Sequence, residues 1–308
     1  MLSGAGPRSW IRWLFRVAGL ALSVASLIFV GLKIVESSGP LTTDFARTSF
    51  LATILLGALL YALLSSLVGF GWITLARGLG PDGNLRSREG LIVYGRSQIM
   101  KYLPSNVLHI VGRYGLGRQI GASPAALLFS IAAESILLVI AASMLAILFG
   151  LPLVLKFAAE FQGGISRILV LAAFLILLGS SVWWFREDLL NRRLVIAMLA
   201  AFLLYLCFFL LNGSIVLALA VHNAELQRPM FIFGVTAAAW LGGFMIPGAP
   251  AGLGIREAIL ITGLGLAGCT DSSALAVSLG YRVITLGGDS IVAIISFMVP
   301  LLEPKSTH

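Results

Sequence analysis

Long apolar stretches separated by short groups of charged residues run through this sequence. Six of them approach or exceed the roughly 20 apolar residues that a helix needs to cross a bilayer, at residues 17–32, 50–76, 125–149, 168–185, 194–221 and 274–299. The pattern predicts an all-α polytopic membrane protein with about six spanning helices.

A further apolar region, residues 231–267, is interrupted by residues that no continuous helix accommodates. Pro247 and Pro250 each remove a backbone donor, and Gly248 lowers helix propensity. Backbone groups freed by such a break are tolerated at membrane depth only where they line a cavity or are buried in protein. We therefore predict a re-entrant helical hairpin at a substrate site, with an ordinary loop between two short spans as the alternative.

Residues 91–121 form a second interrupted region, which carries more charge. It contains Pro104 together with several cations, including Lys101 and Arg113. Each arginine or lysine costs at least about 2.5–3.5 kcal/mol at the centre of a lipid-facing helix, so a simple span is disfavoured. The region predicts another re-entrant hairpin, which enters from and returns to the cytoplasm. His109 within it is either a proton-coupling residue or an ordinary hydrogen-bonding residue.

Composition and charge agree with a single integral membrane domain over residues 1–308. Hydrophobic residues make up 59% of the chain and charged residues 11%, which leaves no room for a separate soluble domain. The net charge of +8 reflects topology and anionic lipid headgroups rather than nucleic acid, because the basic residues lie between the apolar stretches. Most of them fall on one side, which predicts a protein of the cytoplasmic (inner) membrane with both termini cytoplasmic.

The two hairpins resemble each other in spacing. Arg113 follows Pro104 at the same interval at which Arg256 follows Pro247, and residues 126–134 align with residues 274–282 in their shared Ala-Leu and Ser positions. Helix, hairpin and helix thus occur twice, as repeat A over about residues 50–150 and repeat B over about residues 194–300, in opposite orientations. Inverted repeats of this kind are typical of secondary transporters, whose sites lie at the midplane.

The alignment of the repeats places Glu134 opposite Arg282. Opposite charges at equivalent depth are natural partners, since an unpaired buried charge costs several kcal/mol. Such a pair is either a gate that opens when a substrate anion competes for Arg282 or a static structural contact. Asp289, two turns further along the same helix face, is an alternative partner of Arg282.

These residues resemble the transmembrane region of lysylphosphatidylglycerol synthases, also called the flippase-like domain family. The resemblance lies in residues 101–106, in Gly112-Arg113, in Glu134, and in residues 247–257 followed by Arg282, with the Gly-Leu-Gly-Ile-Arg-Glu segment at 252–257 as its most specific part. It implies transbilayer movement of a lipid with a polar head. The soluble aminoacyl-transferase domain of the synthases is not in this sequence, so lipid aminoacylation is not expected. Ser105 departs from the family's usual glycine.

The expected function is translocation of an anionic lipid, such as a phospholipid, a glycolipid or a polyprenyl-phosphate-linked sugar, through a cationic midplane site. Arg256 begins a half-helix whose positive dipole end and guanidinium suit a phosphate. The expected partners are membrane lipids, with a biosynthetic enzyme as a further candidate, and no metal or other cofactor is expected. We expect substrate contacts from Lys101, Tyr102, Asn106, Arg113, Glu134, Gly252, Gly254, Arg256, Glu257, Tyr281 and Arg282, and gating or hinge roles for Pro104, Pro247, Gly248, Pro250 and Asp289.

The alternative is a membrane-embedded transferase, or an accessory subunit of a lipid or glycan biosynthetic enzyme. Transferase chemistry usually requires clustered carboxylates for a metal ion or for acid and base work. The sequence contains no such cluster, and Glu187-Asp188 beside Arg186 is typical of a solvated turn.

Overall fold

The described part of the chain is helical throughout, without a strand. The computed structural model describes residues 48–79, 85–102, 108–160, 191–221, 226–245 and 250–301. Its helices are α1 (Thr48–Gly78), α2 (Ser87–Gln98), α3 (Leu108–Gln119), α4 (Pro124–Glu160), α5 (Arg192–Val221), α6 (Phe231–Met245), α7 (Ile255–Leu266) and α8 (Asp271–Met298), with 3-10 turns at Ile99–Tyr102 and Pro250–Gly252.

Four of these helices, α1, α4, α5 and α8, are long and apolar enough to cross a membrane. They correspond to the predicted spans at 50–76, 125–149, 194–221 and 274–299. The other two predicted spans, 17–32 and 168–185, lie outside the described residues. The chain is therefore an all-α protein whose long apolar helices are those of an integral membrane protein, as the hydropathy pattern predicts.

The long helices α1 and α5 pack against each other in antiparallel orientation. Gly78 near the end of α1 packs against Leu194 near the start of α5, whereas Gly57 near the start of α1 approaches Ile215 near the end of α5. Between these contacts Gly71 lies against the buried Tyr205. The glycines allow close approach of the helices, and the outer faces carry exposed leucines suited to lipid.

The short helices form two pairs that approach the centre from opposite ends. α2 runs back along α1 from the end of α1, since Gly90 lies beside Ile73 and Gly69 beside Tyr94. α6 runs back along α5 in the same way, with the ring of Trp240 5.0 Å from that of Phe209. Because α1 and α5 are antiparallel, the α2/α3 and α6/α7 pairs point toward each other, and their 3-10 turns are in contact.

The helix that follows each short pair packs against the first arm of the other pair. α4 packs on α6, where a Cβ added to Gly150 would lie 3.0 Å from the carbonyl carbon of Gly234. α8 packs on α2, where Gly95 lies against Ser296. These exchanged contacts hold the two halves of the described chain together around the meeting point of the turns.

Both short pairs are interrupted where the sequence places its prolines. The first break lies between Tyr102 and Leu108, and the second between Met245 and Ile255. The second break requires glycine at position 252, which has φ +69° and lies against the backbone of Gly243. It also requires glycine at position 254, which has φ +85° and directly precedes α7. Pro104, Asn106, Pro247 and Gly248 lie outside the described residues.

Substitution of Gly234 by alanine is expected to destabilise the protein by about 1–3 kcal/mol, because the added Cβ meets the backbone of Gly150, which has no side chain to move aside. Thermal unfolding of the purified protein in detergent measures the effect. Gly265→Ala in α7 is the matched control, since its Cβ points into open space and should leave the midpoint unchanged or raise it. Equal midpoints for both variants would contradict this account of the α4–α6 contact.

Candidate functional site

The turns of the two short pairs meet at a partly open cavity of about 210 Å³. Side chains from both pairs line it, among them Lys101, His109 and Arg113 from the first pair and Arg256 from the second, together with Glu134 of α4. The volume is below the roughly 300–1,000 Å³ typical of sites that enclose a whole small ligand. The cavity is therefore of a size to hold a polar headgroup rather than an entire lipid.

Arg113 and Glu134 form a buried ion pair at one wall of this cavity. The two residues are 3% and 5% exposed, and Arg113 Nη1 donates to Glu134 Oε2. Arg113 Nε also donates to Ser97 Oγ at 3.4 Å, and the guanidinium carbon lies 4.3 Å from the ring centroid of Tyr94. A carboxylate and an aromatic face both stabilise a desolvated guanidinium, so Arg113 is fully engaged.

Asp289 of α8 holds the turn of the first short pair. Its side chain is fully buried, and its Oδ2 accepts hydrogen bonds from Tyr102 Oη at 2.6 Å and from Lys101 Nζ at the same distance. Lys101 Nζ donates in addition to Gln98 Oε1 at 3.2 Å. A residue from the second half of the chain therefore fixes the tip of the first half's helix pair.

Arg282 and Glu257 perform the same task at the turn of the second pair. Arg282 Nη1 donates to the carbonyl oxygen of Ala251 at 3.2 Å and lies 3.5 Å from Glu257 Oε1. Glu257 Oε2 accepts from the backbone N–H of Gly254 at 2.6 Å, which caps the start of α7. Two backbone groups released by the helix break thus receive partners from charged side chains.

Arg256 differs from the other cations of the site. It is half-buried and lines the cavity, and its stem packs against Gly243 and Gly252. Its Nε is buried without a hydrogen-bond partner among the described residues, as are Nε and Nη2 of Arg282, so what distinguishes Arg256 is the absence of a paired carboxylate. No carboxylate of the described residues pairs with it. The charged groups at the meeting point are the cations Lys101, Arg113, Arg256 and Arg282 and the carboxylates Glu134, Glu257 and Asp289, so one positive charge is left without a partner.

The pairing of these charges differs from the sequence-based expectation. Glu134 binds Arg113 rather than Arg282, and Asp289 binds Lys101 rather than Arg282. Arg113 pairs with Glu134 of the helix that follows it, and Arg282 pairs with Glu257 of the helix that precedes it. Lys101 instead reaches Asp289 in the second half. The alignment of residues 126–134 with residues 274–282 therefore does not bring the side chains of Glu134 and Arg282 together.

The other residues that were predicted to contact the substrate lie at different places around the site. Gly252 and Gly254 form the turn that positions Arg256. Tyr281 Oη donates to Oδ1 of Asn212, a residue of α5, at 2.9 Å. His109 lines the cavity and its Nδ1 has no hydrogen-bond partner in the described part of the chain. The sequence analysis did not identify Asn212, Ser97 or the aromatic residues around Arg113, because isolated polar and aromatic residues in apolar helices are not distinctive.

Comparison of the chain with protein-family models, curated proteins and solved structures finds no match. The resemblance to the flippase-like domain family therefore rests on the motifs themselves, and function has to be argued from the geometry of the cavity.

Glu134→Gln is expected to lower stability by about 3–5 kcal/mol, because it leaves the Arg113 guanidinium buried without its carboxylate. Adding Arg113→Gln should recover part of the loss, since the double variant buries no uncompensated charge. Thermal midpoints in detergent report both effects.

Glu89→Gln is the control. It breaks the Arg86–Glu89 pair, in which the Arg86 side chain is 76% exposed, and such pairs contribute at most about 1 kcal/mol. A loss for Glu134→Gln no larger than for Glu89→Gln would refute the structural importance of the buried pair.

Proposed function

We propose that this protein moves an anionic lipid across the membrane, with the headgroup bound in the central cavity and the tails kept in the bilayer. The single observation that carries the proposal is Arg256, a cation that lines the cavity and has no carboxylate partner among the described residues. An uncompensated charge at membrane depth costs several kcal/mol, so such cations mark a functional site. A bound anion supplies the missing partner.

The lengths of the short helices support two re-entrant hairpins. α2, α3 and α7 have 12 residues each and α6 has 15. At 1.5 Å per residue these helices measure roughly 18–23 Å, which is less than the about 30 Å of a bilayer core. Each pair therefore enters the membrane, breaks near its middle and returns to the same side.

The arrangement of the helices supports an inverted repeat. α1, the α2/α3 pair and α4 correspond in order to α5, the α6/α7 pair and α8, and the two pairs approach from opposite ends because α1 and α5 are antiparallel. The contact of α4 with α6 is matched by that of α8 with α2. In this class of transporter the substrate binds at the midplane, where the broken helices of the two repeats meet.

The chemistry of the cargo follows from the groups around the cavity. A guanidinium offers parallel N–H donors that fit two oxygens of a phosphate, and Arg256 stands in the first turn of α7, where the helix dipole adds positive potential. Phospholipids, glycolipid phosphates and polyprenyl-phosphate-linked sugars all present this group. The common feature of the proposed cargo is thus a phosphate next to a polar head.

Movement of the cargo follows from competition between anions. The phosphate bound at Arg256 shares the cavity with Lys101, whose present partner is Asp289. Arg282 holds the carbonyl of the cavity-lining Ala251, and its present partner is Glu257. When the phosphate draws these cations away, the contacts that tie each hairpin tip to α8 are weakened. One hairpin can then withdraw while the other stays closed, which is alternating access around a fixed site.

The second candidate is a membrane-embedded transferase or an accessory subunit of a lipid or glycan biosynthetic enzyme. In the part of the chain that the structure describes, Glu134, Glu257 and Asp289 are each held by a cation. A carboxylate held in this way is a poor general base. The transport proposal therefore uses the site as it stands, whereas a transferase needs one of these pairs to open first.

Purified protein in vesicles with a fluorescent phosphatidylglycerol tests the proposal through dithionite quenching of the outer leaflet. Arg256→Gln should slow translocation by about tenfold to hundredfold, the effect of losing one charged hydrogen-bond donor to phosphate, and Arg256→Lys should be intermediate. The exposed Arg228→Gln removes the same charge outside the cavity and should retain the wild-type rate.

Mass spectrometry of the vesicle lipids separates the two candidates. Transport changes the leaflet and leaves every lipid mass unchanged, whereas a transferase produces a lipid of new mass. Wild-type rates in Arg256→Gln, or a new lipid product that depends on Arg256, would sink the transport proposal.

A further inference from the structure

A second groove lies on the outside of the bundle, between α1, α2 and α8. Its volume is about 510 Å³, and its walls are apolar, with Leu59 and Leu63 of α1, Leu91 of α2 and Ile295 of α8 among them. Since α1 and α8 are candidate membrane spans, the groove opens sideways into the region that lipid chains occupy. Arg88, near the start of α2, is the charged residue of its lining.

The groove is separate from the central cavity. The wall between them is formed where Gly95 of α2 packs against Ser296 of α8, and where Gly288 of α8 packs against Tyr61 of α1. The residues of α1 that line the groove face away from those that line the cavity, and none of the groove residues lines both. A ligand of the groove is therefore distinct from the headgroup proposed at Arg256.

Arg88 is the available cation at this place. Arg86 pairs with Glu89 at 3.5 Å, and Arg96 donates to the carbonyl oxygens of Ser296 and Val299 at the end of α8. Arg88 is exposed and makes no hydrogen bond or ion pair with the described residues. It stands at the end of the bundle that also carries Arg77, and that basic end is the cytoplasmic one by the positive-inside rule.

We infer that the groove binds an acyl chain of an anionic phospholipid whose phosphate contacts Arg88. The apolar walls match a hydrocarbon chain, and each methylene removed from water or from loose contact contributes to binding. A peptide fits less well, because its backbone needs hydrogen-bond partners along its whole length, whereas the walls of the groove are mostly apolar and the hydroxyl of Ser66 already donates to the carbonyl of Ala62 in its own helix. The positive charge at the headgroup level selects an anionic lipid over a zwitterionic one.

Native mass spectrometry tests this inference in the Arg256→Gln protein, which lacks the proposed central phosphate site. The protein is exposed to phosphatidylglycerol or to phosphatidylcholine with the same acyl chains and is then released from detergent. Phosphatidylglycerol should be retained about fivefold better, the effect of roughly 1 kcal/mol from one arginine near the headgroups. Arg88→Gln should abolish that preference. Arg193→Gln removes an equally exposed charge outside the groove and should preserve it.

A second pair of variants tests where the acyl chain binds. Ser66→Phe fills the groove and should lower retention of both lipids, and Ser214→Phe is the matched control, an exposed serine of α5 whose hydroxyl makes the same bond to its own helix. Each of three results would overturn the inference. The protein could retain both lipids equally, Arg88→Gln and Arg193→Gln could lose the preference for phosphatidylglycerol to the same extent, or Ser66→Phe could retain as much lipid as the unsubstituted protein. If the wild-type protein retains phosphatidylglycerol and the Arg256→Gln protein does not, the bound lipid belongs to the central cavity. That result would leave the transport proposal intact.

Discussion

Charge compensation at the meeting point of the two short helix pairs is the constraint on which the structure depends. A cation in a medium of low dielectric needs an anion beside it, and the carboxylates that meet this need come from helices other than those that carry the cations. Asp289 reaches Lys101 and Tyr102, and Glu134 reaches Arg113. The helices α4 and α8 that carry these carboxylates are thereby fixed to the first short pair.

The same charged residues also satisfy the broken backbone. A helix that stops inside a membrane protein leaves N–H and C=O groups that need partners. Arg282 takes the carbonyl of Ala251, and Glu257 takes the N–H of Gly254. The break at this turn is therefore stabilised by the ions that the break itself brings together, and removal of either side chain affects both functions.

Hydropathy was sufficient to predict four of the long helices, and the prolines and glycines were sufficient to predict the two regions in which the helices are interrupted. They were not sufficient to predict which charges pair. Depth along a helix can be estimated from sequence, but the face that a side chain presents depends on helix rotation and on the exchanged packing of α4 on α6 and α8 on α2. For this reason Glu134 and Arg282 were expected to pair and do not.

The two halves of the described chain have the same order of long and short helices but bring different charges to the cavity. In the sequence alignment of the halves, Arg113 corresponds to Arg256, and Glu134 corresponds to Arg282. In the first half, Glu134 of the helix after the short pair binds Arg113. In the second half the aligned position holds Arg282, which binds Glu257. Arg256 has no carboxylate partner among the described residues. A carboxylate at position 282 would stand near the Ala251 turn, on the side where Arg256 lines the cavity, so the arginine at this position is what leaves the charge of Arg256 open, and the proposed anion site depends on that open charge.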